Sequence, residues 1–103
     1  MKTLLFVLAI ATLSSACTWV KVSDDATGVA VANMANVRNC EKLRNVNVKV
    51  KASVGPIDRN ADKVAVELAN LARNEAVSFG GDTVVPTSEI ENGSQTFAVY
   101  KCK

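Results

Sequence analysis

The run NADKVAVELANLARNEAVSFGGDTVVP, residues 60–86, decides the fold. Within it Ala61, Val64, Ala65, Leu68, Leu71, Ala72, Ala76 and Phe79 recur at three- and four-residue spacing. Asp62, Lys63, Glu67, Asn70, Arg73 and Asn74 fall mostly on the other side. That pattern predicts an amphipathic helix with one apolar stripe. Asp58 or Asn60 caps its start by accepting an amide hydrogen bond. Gly80-Gly81 stops it, because closing the last turn needs a residue with left-handed backbone. Such a helix is about 29 Å long, enough to cover a small sheet. Residues 82–86 (DTVVP) then read as a short central strand.

Upstream, residues 45–54 (NVNVKVKASV) alternate strictly between apolar and polar side chains. Period two puts one face in the core and the other in water. Gly55-Pro56 ends this strand, since proline cannot continue the ladder. Residues 28–34 (GVAVANM) read as a short β-prone strand and residues 35–43 as a connecting turn. Downstream, Asn92-Gly93 signals a tight hairpin, and residues 95–102 (QTFAVYKC) form the last strand, with Phe97, Val99 and Tyr100 as core. The order β-β-α-β-β implies an α+β fold: a small four-stranded sheet with one helix packed on one face. If the strands flanking the helix run parallel, their crossover is right-handed. With no repeats and no long linker, residues 28–103 read as a single domain. The polar lead before it (TWVKVSDDAT, residues 18–27) reads as a linker reaching about 35 Å when extended.

The first residues carry an address. Lys2, the apolar run LLFVLAIATL (4–13) and Ser14-Ser15-Ala16 have the order of an export signal peptide, residues 1–16. The run is too short to span a bilayer, which takes about 20 helical residues. Residues 13–17 (LSSAC) resemble a bacterial lipobox, although Ser14 stands where lipoboxes usually carry leucine. The resemblance implies that Cys17 is acylated with palmitate-type chains and becomes the lipidated N-terminus, so that residues 17–27 join lipid to domain. Ser14-x-Ala16 also suits ordinary signal peptidase, which would leave a soluble periplasmic or secreted protein starting at a free Cys17; an uncleaved segment is the remaining option. Thr18, not aspartate, follows Cys17, which by resemblance to enterobacterial sorting rules implies the outer membrane, facing the periplasm. Trp19 sits two residues from the anchor, either at headgroup level or packed on the domain.

Removing residues 1–16 from the 103 leaves 87. A domain of this size buries only about 60–65% of its unfolded surface and gains from a staple. With Cys17 assigned to lipid, Cys40 and Cys102 remain as a pair, and an oxidising compartment favours a disulfide. Closing a loop of about 63 residues contributes near 4 kcal/mol on the chain-entropy view. For this the start of the long strand and the end of the last must meet at one sheet end. A two-cysteine metal site is the alternative, but the chain has no histidine to complete a usual transition-metal set. Lys2 leaves with the signal, so eleven basic face ten acidic residues, a formal +1. That balance implies no nucleic-acid partner; membrane contact would come through lipid chains.

Few residues point to chemistry. Without histidine, Ser-His and Cys-His catalysis are excluded. Gly80-Gly81 follows a helix, whereas phosphate-binding glycines precede one. Glu89 and Glu91 flank Ile90 beside a turn and read as a solvated shoulder, as Asp24-Asp25 reads as soluble linker. No catalytic residue, metal ligand or cofactor is expected. Asn47, Lys49 and Lys51 on the polar strand face are the candidate partner-facing residues. With Arg38, Lys42 and Arg44, the lysines form either a basic strip for an acidic partner or simply the wet side of the sheet.

Taken together, Cys17, the CEKL turn (40–43) leading into VNV (46–48), LARNEA (71–76) followed by GGDTVVP (80–86), and QTF to YKC (95–102) are similar to a family of short bacterial lipoproteins of unknown function (domain of unknown function 4156). The helix-to-GGDTVVP join is the most specific part. The family has no assigned reaction, so the resemblance implies compartment and fold. A more distant likeness is to the Rcs-pathway stress-sensing lipoprotein of the enterobacterial outer membrane, from which this chain departs in having cysteines for one disulfide, not two, and no proline-rich stalk. The resulting expectation is a non-enzymatic interaction or sensor domain tethered to the envelope and facing an envelope protein. The alternative is a small-ligand or metal-binding module using the space between helix and sheet.

Overall fold

The computed structural model describes residues 20–51, 53–54, 57–58 and 60–103. The expected signal peptide, Cys17, Trp19 and Gly55-Pro56 lie outside them. The 3.6-residue pattern forms helix α1, Ala61–Ser78. Of the two candidate caps Asn60 is used: its side-chain oxygen accepts from the amides of Asp62 (2.8 Å) and Lys63 (3.3 Å). At the far end the Gly81 amide donates to the Ala76 carbonyl (2.8 Å) and the Gly80 amide to that of Val77 (3.1 Å). These paired bonds make a Schellman close.

The two glycines serve different ends. Gly80 sits at φ 74°, open to left-handed backbone, with nothing within 4 Å of where a Cβ would stand. A Cβ on Gly81 would collide with Val99 Cγ1 and press on the carbonyls of Ala76 and Tyr100, each 3.3 Å away. Gly81→Ala is therefore expected to cost about 2 kcal/mol by overpacking, and Gly80→Ala about 1 kcal/mol by backbone strain alone. Urea unfolding of the two variants reads the difference.

Four strands form the main sheet: β1 (Ala30–Val31), β2 (Glu41–Lys49), β5 (Thr83–Pro86) and β6 (Ser94–Lys101). Their spatial order is β1-β5-β6-β2. β1 runs parallel to β5; β5–β6 and β6–β2 are antiparallel. β2 and β5, on either side of β6, thus run in the same direction and are joined through α1. Between β2 and the helix, β3 (Ser53–Val54) and β4 (Ile57–Asp58) form a separate two-stranded ladder.

The helix covers one sheet face. Leu68, Ala72 and Ala76 meet Val84, Phe97, Val99 and Val48 in a core to which Ala26 and Val29 also belong. Glu67, expected on the wet side, is buried. The opposite face is not wet throughout. Because β1 and β2 occupy opposite edges, residues 32–40 must cross the sheet to connect them, and Val37 packs there with Val85, Ala98 and Tyr100. Covered on both faces, Thr83, Val84 and Val85 are all buried.

Strand boundaries differ from expectation by more than one residue in β1 and β2. The strand expected over 28–34 is reduced to Ala30–Val31. Asn33 and Asn36 each accept the other's amide at 3.1 Å, holding Met34–Val37 in a 3-10 turn, and such local bonding competes with a ladder. β2 begins at Glu41, inside the expected turn, because Lys101 and Tyr100 extend β6 far enough to pair with Glu41 and Lys42. It ends at Lys49, and Ser53–Val54 turns to its own partner strand. Cys40 and Cys102, beside the ends of β2 and β6, are disulfide-bonded with Cα atoms 4.5 Å apart.

Candidate functional site

The uncovered end of the sheet face opposite the helix holds a polar groove of about 600 Å³. Antiparallel pairing sets Asn47 opposite Thr96 and Lys49 opposite Ser94, side by side on that face. The loop after β5 supplies Ser88, Glu89 and Glu91 as the wall. Asn92 and Gly93, at φ 50° and 74°, form the tight turn, with Glu91 and Ser94 exchanging two 2.9 Å backbone bonds.

The floor is held in place before any ligand arrives. Asn47 Nδ2 donates to Thr96 Oγ1 (3.0 Å), and Ser94 Oγ donates to Asn47 Oδ1 (3.2 Å). Ser88 Oγ accepts the Thr96 amide (2.9 Å), and Gln95 Nε2 donates to the Ser88 carbonyl (3.1 Å). Lys49, Glu89 and Glu91 are exposed. The site therefore offers aligned amides and hydroxyls with solvated charges, an arrangement suited to polar contact.

The candidate residues separate. Asn47 and Lys49 share the groove; Lys51 is exposed just past the end of β2. Arg44 leaves the would-be basic strip for the helix side, its guanidinium 4.1 Å from the Phe79 ring centroid, a cation–π contact. Glu89 and Glu91 are exposed as expected and also build the groove wall, a role that follows only from the hairpin's position. Among the described residues no group of three or more Cys, Asp or Glu gathers as a metal site would require, and no helix is long and apolar enough to cross a membrane.

A second constellation was not legible in the sequence. Asn70, Arg73 and Asn74, one i, i+3, i+4 stripe on α1, hold the lead segment through its backbone. Arg73 Nε donates to the Val29 carbonyl (2.8 Å) and Nη2 to those of Thr27 (3.1 Å) and Ala26 (3.3 Å). Asn74 accepts the Ser23 amide (2.8 Å) and donates to Lys21 O (2.9 Å), while Asn70 donates to Val20 O (3.2 Å). The lead that composition assigns to a linker thus lies along the helix from Val20 onward. Two asparagines and an arginine at that spacing, beside the apolar stripe, are the signal that would have found it.

Asp82 joins the helix stop to the chain's end. Its carboxylate accepts the amides of Cys102 (2.9 Å) and Lys103 (3.0 Å) and the Thr83 hydroxyl (3.0 Å). Its backbone bonds Tyr100 and Ala30. Burial pushes its pKa up, but the Cys102 and Lys103 amides, the Thr83 hydroxyl and the Lys103 charge outweigh this and hold it below the usual value. A depressed folded pKa contributes stability that is full above the unfolded value of about 3.9 and lost as pH falls through the folded one. Asp82→Ala is expected to cost about 1–2 kcal/mol at neutral pH and to flatten the fall in stability below about pH 4, read by denaturation at stepped pH.

The family model described as a domain of unknown function (DUF4156) matches residues 20–102. No curated protein and no solved structure matches the chain.

Proposed function

Because the chain belongs to the DUF4156 family, whose description assigns no activity, we propose from its own residues that it is a bacterial envelope lipoprotein. Acyl chains on Cys17 anchor it to the outer membrane, and its domain is a non-enzymatic interaction or sensor module in the periplasm. The observation that carries this reading is the docked lead. Only Thr18 and Trp19 separate Cys17 from Val20, a reach of about 11 Å fully extended. A cysteine in a lipobox-like run thereby stands within that reach of the fold, which suits a domain meant to be presented at a surface. The polar sheet end, with Asn47 and Lys49, then serves as the recognition face, and Lys51 extends it.

A second reading gives the groove to a small polar ligand, favoured by its pre-bonded floor. It does not use the space between helix and sheet, where Leu68, Ala72 and Val99 are fully buried. Fractionation of cells tests the anchoring. The wild-type chain is expected in detergent-soluble membrane and Cys17→Ser in the soluble fraction or as uncleaved precursor. Wild-type protein in the soluble periplasm would overturn the proposal.

A further inference from the structure

β2 is a sheet edge along its whole nine residues, and register determines which of its backbone groups are open. Thr87 donates to the Thr96 carbonyl (2.9 Å), so the even-numbered residues of β6 turn their backbone toward β5. The odd-numbered residues therefore turn toward β2, where Gln95, Phe97 and Val99 stand opposite Val48, Val46 and Arg44. Val50 continues that series by donating to Gly93 O (2.8 Å). Antiparallel ladders exchange bonds at alternate residues, so Asn45, Asn47 and Lys49 direct their amides and carbonyls away from the sheet. Among the described residues no other strand pairs with this edge.

We propose that this edge accepts an extended strand of a partner protein in which acidic and apolar residues alternate. The composition follows from what flanks the edge. Lys42, Arg44 and Lys49 are exposed along β2, against the single acid Glu41. Such cations oppose pairing with a second copy, which would bring like charges together, and favour carboxylates. On the helix side half-buried Val46 offers apolar surface to the added strand, and on the other side Lys49 offers charge. Period-two alternation in the partner meets both. The bulge between Lys42 and Arg44 shifts the register there, so Asn45, Asn47 and Lys49 form the uninterrupted outward series and Lys42 adds charge beside it. This deepens the interaction reading but rests on strand register, not on Cys17, so lipid anchoring and edge recognition fail separately.

The test uses the ¹⁵N-labelled full chain, expressed and processed in bacteria, with a capped peptide alternating glutamate and valine. Binding is expected to slow amide exchange at Asn45, Asn47 and Lys49 selectively. Lys42→Glu with Lys49→Glu is expected to weaken binding about tenfold or more, and a lysine–valine peptide should not bind the wild type. Asn47→Pro removes an outward donor that the β6 ladder does not use and should abolish binding; the charge-reversal pair serves if it fails to fold. Failure of the acidic peptide to bind at millimolar concentration would overturn the proposal. So would protection elsewhere, as in the groove, or edge amides already protected by self-association.

Discussion

Replacing Cys40 and Cys102 together by serine is expected to remove about 4 kcal/mol of stability. The bridge spans a sequence separation of 62 and ties the entry of β2 to the exit of β6. Without it the unfolded chain regains the freedom of that whole loop. For a domain this small the loss corresponds to a fall in melting temperature of about 20 °C or more. Asp82 still holds the amides of Cys102 and Lys103, so the chain's end stays near its native place and the native fold is weakened rather than redirected. Calorimetry of the double variant beside the oxidised wild type measures the effect; a shift of only a few degrees would show that the bridge constrains little.

Arg73→Ala is expected to cost about 3 kcal/mol. One guanidinium serves three carbonyls, and those of Ala26 and Val29 belong to buried residues, so deletion strands acceptors that water reaches poorly. Arg73→Lys keeps the charge but not the planar fork and should recover only part. The damage should be local as well as global. The amides of Ala26 and Val29, bonded to Ser23 and Ala26 carbonyls, should exchange faster than those of β6. Uniform acceleration across the domain would contradict a local latch. If Cys17 carries the proposed lipid, release of the lead would lengthen the tether from about 11 Å to about 35 Å.

The elements that announce themselves locally were legible: the helix with its glycine stop, the apolar strands on its C-terminal side and the Asn92-Gly93 turn. The cysteine pairing was legible by elimination. What stayed hidden depends on residues far apart. Arg73 and Val29 O lie 44 positions apart, and a side chain bonding to backbone leaves no mark in the segment it holds, so the polar stripe on the helix does not say what it binds. The groove combines Asn47 with Ser88 and Thr96, which meet only once β6 is set between β5 and β2. Arg44 reads like its neighbours Lys42 and Lys49 in composition, yet the bulge and strand parity send it toward Phe79. Residues 32–40 carry no strong pattern because they cross a sheet instead of extending one.

Membrane anchoring is most directly tested by mass spectrometry of the N-terminal peptide from the protein processed in cells. A chain beginning at Cys17, with diacylglyceryl carried on its sulfur, is the predicted result. A free thiol at that position, or a first residue other than Cys17, would contradict it.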